Sequence, residues 1–289
     1  MFEFRLKNAA DQVETHLTHV MASMGQLPVV DAMRYASAGG KRLRAFLVLE
    51  SARLHDVPPD QAIWPATAIE AIHAYSLVHD DLPCMDDDAL RRGLPTVHVK
   101  WDECTAVLAG DALHTLGFEC VSHPDCHQDP AVRADLTLTL ARAAGAQGMV
   151  LGQALDIAAE TAGAPLTLSE ITRLQAGKTG ALFTWSATVG AVMARADTDP
   201  LQRYAKSLGL AFQIADDILD IEGDTQKVGK ALGKDADAGK ATFVSLLGLQ
   251  GAKTRARALI DDACDALTPY GEHADALREA ARFVISRDS

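Results

Sequence analysis

Ala71-Ile-His-Ala-Tyr-Ser-Leu-Val-His-Asp-Asp-Leu-Pro-Cys-Met-Asp-Asp-Asp88 is the stretch that decides the fold class. Ala71 to Val78 is apolar with helical recurrence, and the run ends in Asp80, Asp81, Asp86, Asp87 and Asp88. Phe212-Gln-Ile-Ala-Asp-Asp-Ile-Leu-Asp220 repeats the arrangement, an apolar helical run from Leu208 to Ala215 closing in Asp216, Asp217 and Asp220. Outward from these two, helical periodicity is almost continuous. It covers residues 2–23 (Phe4, Ala9, Val13, Leu17 and Val20 on one face), 41–54, 60–82, 102–121, 130–160, 169–194, 198–222, 241–267 and 272–286. Breakers fall between them at Gly39-Gly40, Pro58-Pro59, Pro124, Gly163 to Pro165, Asp199-Pro200, Gly223 and Pro269 to Gly271. Ser169 is the expected N-cap of one helix. No alternating strand run and no internal repeat interrupts this pattern. The expectation is an all-α chain, one domain over 1–289, built of roughly ten helices, several apolar on most faces and therefore buried.

Composition agrees. With 48% hydrophobic, 23% charged and only 5% aromatic residues, the chain is globular and leans helical. The net charge of -12 disfavours nucleic acid as a partner. The most apolar stretch, Gly180 to Ala194, is about 15 residues where a membrane span needs about 20, so stable membrane insertion is not expected. Cys84, Cys104, Cys120, Cys126 and Cys264 form no disulfide framework, and the first residues carry no secretory pattern. Both point to a cytoplasmic protein.

An acidic run is usually a solvated surface. Here like charges recur at i, i+4 (Asp216 and Asp220) and end apolar helices, where ionised carboxylates need a counter-charge. A divalent cation supplies one. Mg²⁺ prefers oxygen, takes one or two carboxylates per ion and completes its shell with water and substrate phosphate. Pro83 disfavours helix at Leu82, so a bend is expected to return Asp86 toward Asp80. Basic residues match: Lys41 and Arg44 after Gly39-Gly40 at a helix start, Arg91-Arg92 after the first cluster, then Lys178, Lys230 and Lys240.

Other phosphate and metal readings are weaker. Gly177-Lys178-Thr179 lacks the first glycine and preceding strand of a nucleotide P-loop. His73 with His79-Asp80 suggests a metal phosphohydrolase, but leaves the second cluster and Arg91-Arg92 without a role. Cys120, His123, Cys126 and His127 match no common zinc spacing.

Gly-Gly-Lys-Arg-Leu-Arg at 39–44, the aspartate-rich segment with Arg91-Arg92-Gly93 at 79–93, Gly-Lys-Thr-Gly at 177–180 and Phe212 to Asp220 together resemble the trans-isoprenyl diphosphate synthases, most closely the bacterial farnesyl branch. The resemblance spans essentially the whole chain. It implies the all-helical isoprenoid synthase fold around a central cavity and a homodimer. It implies condensation of dimethylallyl or geranyl diphosphate with isopentenyl diphosphate, releasing diphosphate. On this basis Asp80, Asp81, Asp86, Asp216, Asp217 and Asp220 hold Mg²⁺, about three ions with substrate bound and with Mn²⁺ as a substitute. Asp80, Asp86 and Asp216 are the strongest ligands, while Asp87 and Asp88 lie outside the coordination. Arg91, Lys178, Thr179, Gln213, Lys230 and Lys240 match the allylic diphosphate site, and Lys41, Arg44, His73 and Arg92 the isopentenyl diphosphate site. Asp80, Asp86, Asp216, Arg91 and Lys178 match the catalytic set.

Tyr75, with Ser76, matches the position that sets product length. It lies about 7.5 Å along the helix axis from Asp80 and implies a floor stopping the chain at fifteen carbons. Two positions depart from the family pattern: Ala45 replaces the usual proline after Arg44, and the terminus Ile285 to Ser289 offers a single arginine for closing the site. The alternatives are a geranylgeranyl diphosphate synthase, a metal-dependent phosphohydrolase, and an inactive subunit bound to a synthase, which need not keep its aspartates and arginines.

Overall fold

The computed structural model describes residues 1–160, 165–222 and 241–286. Among them are thirteen α-helices and one two-stranded hairpin, so the all-α expectation holds. The described chain divides into two compact units, Met1–Thr137 with Val189–Ala196, and Leu138–Thr188 with Asp197–Ser289.

The first unit holds α1 (Phe2–Val20), α2 (Pro28–Ser37), α3 (Leu43–Leu54), α4 (Pro59–Asp80), the hairpin β1 (Leu90–Arg91) and β2 (Leu94–Pro95), the short α5 (Val97–Lys100), α6 (Glu103–Ser122) and the start of α7 (Pro130–Ala144). α1 buries Phe2, Ala9, Val13 and Leu17, whereas Phe4 is 77% exposed. The predicted face is thus corrected by two residues: Phe2 anchors the helix start, its ring edge-on to Phe46 at 5.2 Å. α2 was not expected from periodicity, yet Pro28 stands at its first position, where a missing N–H costs nothing. α4 is buried on nearly every side (Ala66, Ile69, Glu70, Ala71, Ile72 and Val78 among others) and packs on α6, α3, α1 and α2. The hairpin turns on Arg92 (φ 53) and Gly93 (φ 75), paired positive angles that match strand twist.

His16 of α1 packs edge-on against Trp64 at 4.7 Å, and its Nδ1 meets the Thr67 hydroxyl at 2.8 Å. Burial, then the neighbouring His19 and His123, lowers its pKa to about 4. The unfolded chain, with an ordinary histidine near pH 6.5, binds a proton there before the folded chain does. Stability conferred by neutral His16 is therefore complete above about pH 6.5 and lost as pH falls toward 4. His16→Gln should flatten that decline in urea titrations run across this window. An unchanged slope would exclude His16 as its source.

The second unit holds the end of α7, α8 (Met149–Glu160), α9 (Leu168–Gln175), a π-helical turn (Ala176–Gly180), the start of α10 (Ala181–Met193), α11 (Asp199–Glu222), α12 (Phe243–Ala266) and α13 (Asp275–Ser286). The predicted helix 130–160 is two, α7 and α8, and the predicted helix 169–194 is broken by the π turn. Thr167, not Ser169, caps α9: its hydroxyl accepts the Glu170 N–H while Glu170 accepts the Thr167 N–H, a reciprocal capping box. α11 packs on α12 and α13, and the buried Tyr204 hydroxyl donates to the Leu277 carbonyl at 2.8 Å. Among the described residues no helix is long and apolar enough to cross a membrane. All five cysteines are free.

Candidate active site

In the first unit the site begins where α4 ends. Asp80 is the last residue of the helix, at the negative end of its dipole, where cations are favoured. Beyond it the Asp86 N–H donates to the Asp80 carbonyl at 2.8 Å, and the Met85 N–H to that of Leu82. The bend expected from Pro83 thus returns Asp86 to Asp80. Asp80 is half-buried and Asp86 exposed.

Asp81 has a different environment. It is 3% exposed, and its Oδ1 accepts from Arg91 Nε at 2.7 Å and Nη2 at 2.6 Å. Burial pushes its carboxyl above the usual range, and the Arg91 hydrogen bond works against that. Arg91 also lies 3.7 Å from Asp88. Asp81 and Asp88 therefore aim Arg91. Tyr35, which the sequence did not single out, steadies the same hairpin by donating its hydroxyl to the Pro95 carbonyl at 2.7 Å.

The Gly39 to Arg44 segment turns through left-handed angles at Gly39, Gly40 and Arg42 before α3. Gly40 is required by its φ of +91, and the Arg92 guanidinium lies 2.8 Å from where a Cβ would stand. Arg92, donating to the Ala38 carbonyl at 3.2 Å, therefore lies directly over this loop. Lys41 is exposed and Arg44 half-buried.

Between these two basic residues sits Arg42, which serves the fold. It is 5% exposed, bonds the Ser37 carbonyl, and pairs with Glu14 at 2.9 Å and Glu70 at 3.3 Å. Glu70 also accepts the Ala45 N–H at 3.0 Å, in the first turn of α3. A proline at 45 would lack that donor, which gives the departure from the family pattern a physical reason.

His73 of α4 lies in the field of this cluster. Burial first, then Arg44, Arg92, Arg42 and Arg91, holds its imidazole well below 6.5. It is neutral near pH 7 and keeps one ring N–H to donate. His79 does not act with it as a metal pair: its Nε2 donates to the Val107 carbonyl at 3.1 Å. Tyr75 is half-buried, edge-on to His114 at 4.8 Å and His79 at 5.8 Å, with Phe118 edge-on to His114 at 5.1 Å. Burial, then Asp80, pushes its hydroxyl up to about 12, so it stays neutral. Ser76 donates to the His73 carbonyl at 2.9 Å.

In the second unit Asp216, Asp217 and Asp220 lie half-buried near the end of α11. Gln213 Nε2 is 3.5 Å from Asp216 Oδ2. Asp217 Oδ2 accepts the N–H of Phe243, the first residue of α12, at 2.6 Å. In both aspartate pairs the second member thus has an internal partner, Arg91 for Asp81 and an α12 backbone N–H for Asp217.

Lys178 and Thr179 stand in the π turn, a local defect often found at functional sites. Lys178 Nζ pairs with Asp156 Oδ2 at 2.6 Å, and Asp156 is another residue the sequence did not single out. Gly152 lets α8 reach this turn, because a Cβ there would lie 2.0 Å from the Lys178 nitrogen. Lys230, Lys240 and Arg287 lie outside the described residues.

The donor chemistry suits Mg²⁺. Asp80, Asp86, Asp216 and Asp220 offer carboxylate oxygens. Among the described residues no three His, Cys, Asp or Glu side chains form a ready-made metal cage. Mg²⁺ takes only one or two carboxylates and leaves the rest of its shell to water and phosphate.

Comparison with known proteins agrees with this chemistry. The family model described as polyprenyl synthetase matches residues 28–280. The farnesyl diphosphate synthase of Escherichia coli (strain K12) is 45% identical over 99% of each chain. An FPP/GFPP synthase from Zymomonas mobilis, solved as an apo structure, is 47% identical with a TM-score of 0.88, over 97% of this chain and 99% of that one. A geranyltransferase from Helicobacter pylori, solved with magnesium and isoprenyl diphosphate, is 33% identical with a TM-score of 0.81, over 99% of this chain and 96% of that one. With its aspartate pairs, its arginine-ringed histidine and a family match across nearly all its length, the chain belongs to the polyprenyl synthetase family.

Proposed function

We propose that this chain joins isopentenyl diphosphate to dimethylallyl or geranyl diphosphate, forming the fifteen-carbon farnesyl diphosphate and releasing diphosphate. The observation that carries the reading is the first unit's pairing of opposite charge. Asp80 and Asp86 meet at the end of α4, and neutral His73 lies in the field of Arg44 and Arg92 on the same unit. A phosphohydrolase needs no second basic site of this kind. Relatives named farnesyl diphosphate synthase, matching nearly the whole chain, support the same reaction.

The allylic C–O bond breaks first, leaving an allylic cation and diphosphate. Isopentenyl diphosphate's alkene then attacks, a C–C bond forms, and one proton passes to the departing diphosphate. Asp80, Asp86, Asp216 and Asp220 would hold Mg²⁺, with Asp81 and Asp217 orienting their neighbours. Bound there, Mg²⁺ supplies Lewis-acid neutralisation of charge on the leaving group. Lys178 and Arg91, with Thr179 and Gln213, bind the allylic diphosphate; Lys230 and Lys240 have the same role by family position. Positive charge placed where negative charge grows stabilises the transition state more than the ground state. Lys41, Arg44 and Arg92 bind isopentenyl diphosphate, and His73 donates its ring N–H to it. No side-chain nucleophile is required. We read 1–289 as one synthase domain that acts as a cytoplasmic homodimer, a location that suits five free cysteines.

Tyr75 is the floor that ends growth. Its neutral ring, edge-on to His114, which in turn meets Phe118, lies one and a half turns before Asp80 on α4. Tyr75→Ala should shift the main product to twenty carbons. Products still ending at fifteen would remove Tyr75 from that role. For the wild type, incubation with Mg²⁺, isopentenyl diphosphate and geranyl diphosphate should give an extractable fifteen-carbon product. A twenty-carbon main product would favour the geranylgeranyl reading, and no condensation product would overturn the synthase.

A further inference from the structure

Beside α10, within the second unit, lies a cavity of about 710 Å³ that none of the proposed diphosphate-site residues lines. Its size falls in the range of small-molecule sites, roughly 300–1,000 Å³. The wall runs along a stripe of every fourth residue, Thr172, Ala176, Gly180, Thr184 and Thr188, whereas Lys178 and Thr179 do not belong to it.

The wall is less polar than its residue names suggest. Thr172 donates its hydroxyl to the Leu168 carbonyl at 2.6 Å, and Thr188 donates to that of Thr184 at 2.9 Å. Thr139 accepts the Trp185 indole N–H at 3.1 Å. These hydrogen bonds are made within the protein, so what remains toward the cavity is chiefly methyl, indole and aliphatic surface, with Ala181 and Leu210 completing it. Four side chains differ: Gln147, Gln202, whose amide donates to the Thr198 hydroxyl at 2.8 Å, and the two cations Arg142 and Lys206. Arg142 and Lys206 line the cavity, are exposed, and among the described residues share it with no acidic side chain. On a chain with a net charge of -12, a hollow whose described lining carries two cations and no acid is a local reversal of sign.

We propose that this cavity binds a soluble anionic amphiphile, a hydrocarbon or isoprenoid chain ending in a phosphate. The chain lies against Trp185, Leu210 and Ala181, and the phosphate meets Arg142 and Lys206. Neither group alone suits the site, since a bare anion leaves the apolar wall wet and an uncharged chain leaves both cations unused.

The test uses dodecyl phosphate below its micelle concentration, titrated calorimetrically into the full chain in EDTA. Chelation separates the two sites: the proposed reaction centre depends on Mg²⁺, whereas this cavity supplies its own cations. Saturable binding of one molecule per chain is expected. R142E/K206E, two exposed positions, should weaken it at least tenfold while leaving turnover of geranyl and isopentenyl diphosphate unchanged. Thr184→Trp, which fills the hollow without altering charge, should weaken it equally. Dodecanol and inorganic phosphate should each bind at least tenfold more weakly than dodecyl phosphate. Affinity unchanged in both variants, or inorganic phosphate binding as tightly as the amphiphile, would overturn the proposal. Binding in EDTA that depends on Arg142 and Lys206 would stand even if the synthase assay failed.

Discussion

Asp80→Asn should lower the turnover number by at least about a hundredfold at saturating Mg²⁺, with the fold unchanged by circular dichroism. Asn keeps the shape of the side chain and removes its charge. The loss falls at the C-terminal end of α4, where the helix dipole and Asp86 add to the same negative centre. Metal-assisted stabilisation of a leaving group contributes several kcal/mol, and each 1.36 kcal/mol is about tenfold in rate. Losing about 3 kcal/mol of it therefore costs about a hundredfold. Asp216→Asn on α11 should behave alike. Asp87→Asn is the control: Asp87 is exposed with φ 50, an angle Asn tolerates, and its rate should stay within about threefold. An Asp80→Asn enzyme within a few-fold of wild type would remove Asp80 from the reaction.

The second large effect is on stability. Glu70→Ala should cost about 3–5 kcal/mol, read as a lower urea midpoint at unchanged slope. The Glu70 side chain is 4% exposed and that of Arg42 3% exposed. Removing the carboxylate strips Arg42 of its buried counter-charge and leaves the Ala45 N–H unpaired at the start of α3. Glu14, the remaining partner of Arg42, is itself 49% exposed and compensates little. Glu70→Gln, which keeps an oxygen for the Ala45 N–H, should lose less. A loss under about 1 kcal/mol for the alanine variant would show that Arg42 finds another partner.

What could be foreseen from sequence was local. The helix ending in Asp80, the helical run carrying Asp216 and Asp220, the bend at Pro83 and the failure of Gly177-Lys178-Thr179 as a nucleotide loop all follow from residues a few positions apart. Errors arose where two local signals competed. Phe2 and Phe4 are both apolar at the start of α1, and only packing against Phe46 selects Phe2. Thr167 and Ser169 both carry hydroxyls, and Glu170, three residues after Thr167, was the overlooked clue. α2 is ten residues long, too short for periodicity to announce.

The supports of the site were illegible for another reason. Glu70 lies 28 positions from Arg42, and Asp156 lies 22 from Lys178. Arg42 looks like its neighbours Lys41 and Arg44 until its burial is seen. The lowered pKa of His73 comes first from burial and then from arginines of two separate segments, around 42–44 and 91–92. Such partners come together only through the fold.

The central claim is condensation rather than hydrolysis, and stoichiometry tests it directly. Wild-type enzyme with Mg²⁺ and geranyl diphosphate should release diphosphate only when isopentenyl diphosphate is present, one molecule released for each molecule of isopentenyl diphosphate consumed. Equal release from geranyl diphosphate alone would contradict the account and identify a hydrolase.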